Sequence, residues 1–113
     1  MAFLPENIFA KIISGDLPSD KVYETDTVLA FRDISPKAQT HIVIIPKEEL
    51  VTAKEVHEAN LELFGELFLA AKLIAEQEGL HGYKLHMNVD EAGGQVVPHV
   101  HLHLLSGDFK TNL

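Results

Sequence analysis

Residues 99–105 read His-Val-His-Leu-His-Leu-Leu, and this run constrains the fold more than any other stretch of the chain. In extended backbone, side chains alternate between two faces with a period of two. His99, His101 and His103 then share one face, and Val100, Leu102 and Leu104 share the other. Helical winding would scatter the three rings around the axis. The run is therefore expected to be a strand, with its apolar side on a core and its histidines on a cleft or solvent. Three imidazoles so placed admit three readings. The first is metal: His-x-His on a strand can supply two zinc or iron ligands and a third histidine can complete the site, although catalytic metal sites usually draw on several elements. The second is chemistry at a neutral nitrogen, because imidazole titrates near neutrality and serves as nucleophile or acid. The third is packing. A lone histidine usually only packs, and His57 and His81 are read that way. Three in strict alternation are hard to explain so.

The rest of the chain supplies elements for such a strand to join. Pro5-Glu6-Asn7 opens a short helical pattern with Ile8, Phe9, Ile12 and Ile13 apolar, stopped by Ser14 to Pro18. Lys21 to Glu24 and Val28 to Arg32 read as a hairpin around Thr25-Asp26-Thr27. After a loop from Asp33 to Thr40, His41 to Ile45 is the most β-like run, ended by Pro46. Its His41, Val43 and Ile45 share a face. Lys47 to Val56 holds at most one helical turn. His57 to Glu78 reads as the long helix, with an apolar arc of roughly 180°, wider than the ~100° of an ordinary surface helix. Leu69 and Leu73 fall on its otherwise polar side. Gly79 to Gly82 ends it, and Tyr83 to Val89 is the next strand, with Lys84, His86 and Asn88 on one face. The tail from Ser106 to Leu113 looks irregular. The expected architecture is one α+β domain over residues 1–113. It has a mostly antiparallel sheet of about five strands, covered on one face by one long and one short helix. The wide arc and the stray leucines point to a two-fold dimer, with Tyr83–Val89 extending the sheet across the axis.

Composition narrows the partners. The chain has 113 residues, and its hydrophobic fraction of 46% suffices for one core. There is no cysteine, which removes disulfides, thiolate zinc sites and thiol nucleophiles. The net charge of −8 and nine scattered basic residues argue against a nucleic-acid partner. No basic, apolar leader and no membrane span is visible, so a cytoplasmic protein is expected. A single phosphate remains a possible ligand, because Gly93-Gly94-Gln95 offers unhindered backbone N–H groups four residues before the first triad histidine is reached. There is no P-loop and no nucleophile elbow.

The residues at 99–105 resemble the histidine-triad signature of the HIT family. Ile8-Phe9-Ala10-Lys11-Ile12-Ile13, Phe31-Arg32-Asp33-Ile34-Ser35-Pro36 with Thr40-His41 and Ile45-Pro46-Lys47, and Asn88 with Gly93-Gly94-Gln95 are similar to the family's Hint branch, the adenosine phosphoramidate hydrolases. The resemblance runs to about Gly107. It implies a homodimeric hydrolase of purine nucleoside 5′-monophosphoramidates that needs no metal or other cofactor. By the same resemblance His101 is the nucleophile, His103 contacts the phosphate and assists the leaving group, and His99 and His41 orient the site. Asn88, Gly94, Gln95 and the Val96 backbone lie at the phosphate. Asp33 holds the ribose, and Ile8, Phe9, Ile12, Phe31, Ile34 and Val43 enclose the purine. Three departures stand out. Val96 replaces a serine found in some members, Pro98 replaces an aromatic residue, and the tail lacks a longer aromatic ending. A dinucleoside-polyphosphate hydrolase of the same family, or a silent nucleotide-binding module, are the alternatives.

Overall fold

A computed structural model describes residues 1, 2, 4 and 6–109. Pro5, which opens the expected first helix, and residues 110–113 of the tail lie outside the described residues. Helix α1 spans Ile8–Ser14. Its N-cap is Asn7, whose side chain accepts from the Ala10 N–H at 2.9 Å, and Gly15 closes it in the left-handed region at φ 87°. Strands β1 (Lys21–Glu24) and β2 (Val28–Arg32) form the expected hairpin, followed by β3 (Thr40–Pro46). The single helical turn foreseen before the long helix is a 3₁₀ turn at Ala53–Glu55. Helix α2 spans Leu61–Gln77, and β4 (Lys84–His86) and β5 (Leu102–Ser106) complete an antiparallel sheet of order β1-β2-β3-β5-β4.

The period of two along β3 divides the interior. Ile42 and Ile44 meet Val28, Ala30, Leu102 and Leu104 under Leu67, Ala70, Ala71 and Ile74 of α2. Val43 and Ile45 meet Leu29 and Phe31 under Phe9 and Ile12 of α1. The helices therefore lie on opposite faces, not on the one face expected. The short helix carries two buried apolar residues, and these suffice to cover the end of the sheet nearest β2 and β3.

Three further boundaries differ from expectation, each for a local reason. Helix α2 begins at Leu61, four residues after His57, because His57–Asn60 closes its own turn. There the His57 N–H donates to Asn60 Oδ1 at 2.8 Å, and the Ala59 N–H donates to His57 Nδ1 at 3.1 Å. The histidine run is a strand only from Leu102. Continued by two residues, the register Ile44↔Leu102 would set Val100 against Pro46, which has no N–H to give. The Val100 carbonyl gains no donor there, and the Val100 N–H donates to the Leu50 carbonyl at 2.7 Å. Strand β4 stops at His86, opposite His103 and one residue short of the first residue of β5, Leu102. Ser106, expected in the irregular tail, is the last residue of β5.

Candidate active site

Although only His103 lies within a regular strand, the alternation of faces survives through the run. Val100, Leu102 and Leu104 enter the core under α2, while the His101 and His103 rings lie 5.0 Å apart on the α1 side. His41 joins them from β3, its ring 5.1 Å from that of His103. Phe9 of α1 packs edge-on against His101 at 4.9 Å. His99 departs from the expected cleft position and is 1% exposed.

The hydrogen bonds assign a tautomer to each ring. A carbonyl only accepts. His101 Nδ1 lies 2.7 Å from the His99 carbonyl, so it carries the proton and Nε2 is left with a bare lone pair. His99 Nε2 donates to the Pro46 carbonyl at 2.8 Å, which leaves His99 Nδ1 buried without a partner. The Lys37 N–H donates to His41 Nδ1 at 3.0 Å. His41 Nε2 must then carry the proton, and it donates to His103 Nδ1 at 2.9 Å. The proton of neutral His103 is thereby placed on Nε2. One ring offers a lone pair and its neighbour offers an N–H, each fixed from behind.

Burial holds these rings neutral. It is the largest cause of the lowered proton affinity of His99, His101 and His41; hydrogen bonds to carbonyls oppose it for the first two, and the Asp33 charge opposes it for His41. His103 is pushed down to about 4 by burial and then by the positive charges its neighbours His101, His41 and His86 would carry.

The same assignments bear on metal. Among the described residues one group, Asp33, His41 and His103, brings three ligand atoms within 4.8 Å of one another. A histidine ligates through a bare nitrogen. The only bare nitrogen of His41 already accepts the Lys37 N–H, so its Nε2 faces the group as a donor. Among the described residues no group of this kind joins His99, His101 and His103.

His101 and His103 open onto a cavity of about 520 Å³. Every residue expected to enclose the purine lines it: Ile8, Phe9, Ile12, Phe31, Ile34 and Val43, with Asp33. Leu17, Pro18, Ser19, Arg32 and Val97 line it too and were not foreseen; Leu17 and Pro18 read only as the stop after a helix, and Ser19 as part of no element. His86 was also passed over. Its ring is 5.9 Å from that of His103, its cross-strand partner, and its place on the face of Asn88 was the available signal.

The expected phosphate loop is built differently. The N–H groups of Gly93, Gly94 and Gln95 donate to carbonyls of Asp90, Glu91 and Asp90 in a 3₁₀ turn at Glu91–Gly93, so they do not form an open anion nest. The Gln95 side chain is 4% exposed. It donates to the carbonyls of Val51 at 2.6 Å and Val97 at 3.0 Å and accepts from the Asp90 N–H at 2.8 Å. Its work is to tie the loop to the 50–51 segment. Asn88 Nδ2 donates to the Gly93 carbonyl at 2.8 Å. Gly94 sits at φ 86°, where an added Cβ would meet Asn88 Nδ2 at 3.3 Å. The N–H of exposed Val96 has no partner among the described residues and is the one main-chain donor of residues 93–96 free for a ligand.

The antiparallel sheet with paired histidines at an apolar cavity lies within residues 14–110, which match the HIT domain. A purine nucleoside phosphoramidase of Escherichia coli is 50% identical over 104 residues, covering 90% of this chain and 87% of its own. An adenylylsulfatase of Arabidopsis thaliana is 45% identical over 103 residues, covering 88% of this chain and 70% of its own. The crystal structure of a HIT family hydrolase from Legionella pneumophila superposes with a TM-score of 0.88 at 44% identity, over 94% of this chain and 96% of that one. The chain belongs to the HIT family. It is a hydrolase of the family's Hint branch.

Proposed function

We propose that the protein hydrolyses purine nucleoside 5′-monophosphoramidates through a covalent nucleotidyl-histidine. The observation that carries this reading is the bare Nε2 of His101, held by the His99 carbonyl at the mouth of an apolar cavity sized for a nucleoside. The His101 lone pair forms a bond to phosphorus as the P–N bond breaks, and the departing amine takes its proton from water. The His103 Nε2–H donates to a phosphoryl oxygen and offsets its developing charge. Because His41 occupies Nδ1, His103 acts as a fixed neutral donor. Water then cleaves the P–N bond to His101, releasing the nucleoside monophosphate and freeing the ring. Asp33 accepts from the ribose and the apolar walls enclose the base. The E. coli relative, a purine nucleoside phosphoramidase, supports the leaving group.

The test is a panel of adenosine and guanosine phosphoramidates, adenylyl sulfate and diadenosine polyphosphates, each with and without chelator. Phosphoramidates should turn over fastest and at rates indifferent to chelation. Preference for the dinucleotides would move the protein to the other hydrolytic branch. Loss of activity on chelation, restored by one divalent ion, would overturn the metal-free step.

The reading extends to a homodimer through the outer edge of β4, the terminal strand of the sheet. The structure separates the two halves of the sequence expectation, however. Leu69 lies against the β1–β2 turn, where Glu66 accepts from the Thr27 hydroxyl and Gln77 donates to the Val22 carbonyl. Leu69 and Leu73 thus belong to the β1 edge, opposite β4. Leu61 and Phe68, 61% and 55% exposed, occupy the other flank of α2 and are the apolar surface the β4 interface would use. Leu61→Lys with Phe68→Lys should yield monomers by light scattering, and Leu69→Lys with Leu73→Lys should leave dimers. A wild-type chain monomeric at micromolar concentration would refute the assembly.

A further inference from the structure

Ser19 lines the cavity beside Asp33, and its buried hydroxyl has no hydrogen-bond partner. Lys21 opposes Phe31, and the Arg32 N–H donates to the Asp20 carbonyl at 3.0 Å. Continued by one residue, this antiparallel register sets Ser19 opposite Asp33, and opposed residues share a face. The segment is held at both ends. The Leu17 N–H donates to the Lys11 carbonyl at 3.1 Å, and Asp20 pairs with Arg32 at 3.5 Å.

The chemistry of a sugar requires a group that Asp33 cannot be. A carboxylate only accepts, whereas a ribose hydroxyl both donates and accepts. Asp33 can take a hydroxyl proton, but the hydroxyl oxygen is then left to find a donor inside an apolar cavity, where an unmet polar group is costly. The guanidinium of Arg32 is engaged by Glu78 at 2.8 Å and by Asp20. Ser19 supplies an O–H that can swing about a single bond and gives up no existing partner in doing so. We propose that Ser19 is a specificity-determining residue that donates a hydrogen bond to the ribose hydroxyl held by Asp33. The assignment rests on the nucleotide reading of the cavity and adds the donor half of its sugar recognition.

The experiment compares wild type, Ser19→Ala, Ser19→Thr and Asp33→Ala on ribo, 2′-deoxy and 3′-deoxy adenosine phosphoramidates. A neutral hydrogen bond corresponds to roughly a 2–10-fold change. Ser19→Ala should raise KM for the ribo substrate by about that factor with kcat little changed. It should have no effect on the deoxy analogue that lacks the contacted hydroxyl, and Ser19→Thr should restore the ribo preference. A uniform loss across all three substrates would overturn the role of Ser19. So would a ribo preference that Asp33→Ala abolishes and Ser19→Ala leaves intact; in that case the reading of Asp33 stands. If wild type does not distinguish ribo from deoxy at all, the sugar reading of Asp33 falls and Ser19 falls with it.

Discussion

Replacing His101 by alanine is expected to lower turnover by on the order of 10⁴ or more, because the variant has no lone pair to form the covalent intermediate. The neighbouring rings cannot substitute. His103 presents an N–H to the site, and His99 is buried beside the Pro46 carbonyl. The ring is also 7% exposed and packs on Phe9, so the variant loses more than chemistry. It leaves the His99 carbonyl without its donor, at a stability cost of about 1–3 kcal/mol. Nucleotide affinity measured by calorimetry below the melting transition separates the two effects: the variant should bind the monophosphate but not turn over. A second variant, His101→Gln, keeps a polar side chain and should be equally inactive. Retention of a tenth of wild-type activity by either variant would sink the assignment. Trapping a phosphorus-labelled adduct on wild type, and its absence from both variants, would complete the test.

Acidification from about pH 7.5 to 5.5 is expected to weaken the fold markedly. His103 is held down to about 4, from an ordinary 6.5. Between those values the unfolded chain binds a proton that the folded chain does not, so stability rises with pH across that window. The stabilisation is fully present above about 6.5 and is lost as pH falls toward 4. A gap of that size corresponds to on the order of 3 kcal/mol, lessened by the partial exposure of the ring. Burial lowers His41, His99 and His101 as well, and each acts with the same sign. Denaturant midpoints between about pH 7.5 and 5.5 report this while carboxylates stay ionised. Wild type should lose stability steadily over the range, and His103→Gln should show a shallower slope. A wild-type midpoint that does not move would mean that the rings are not held neutral.

What was legible in the chain was legible through short-range pattern. The apolar runs at 28–32 and 41–45 gave the strands Val28–Arg32 and, within one residue at each end, Thr40–Pro46, and the alternation from His99 onward placed His101 and His103 on the face opposite Leu102 and Leu104. The family resemblance gathered Ile8, Phe31, Asp33 and Val43 into one cavity across three elements. What was not legible depends on partners distant in the chain. Nothing near His99 announces that Pro46 will lie where a ladder donor is needed. Nothing near Gln95 announces that its amide will meet the Val51 carbonyl, and two glycines that look open in sequence close on their own turn. The flank of α2 on which each exposed apolar residue lies was hidden in the same way. A helical wheel separates Leu69 from Phe68 by angle, but only the order of strands tells which of them stands over β4.

The bond from His101 to the His99 carbonyl has an evolutionary consequence. Every amino acid, proline included, brings a carbonyl to position 99, so no codon change there deletes the acceptor that keeps His101 Nε2 unprotonated. Side-chain variation at 99 reaches that acceptor only by displacing the main chain. Mutational drift across the pocket can therefore reshape which substrates enter while the nucleophile keeps its protonation state. Random libraries built on this scaffold should yield changed selectivity far more often than a changed attacking group.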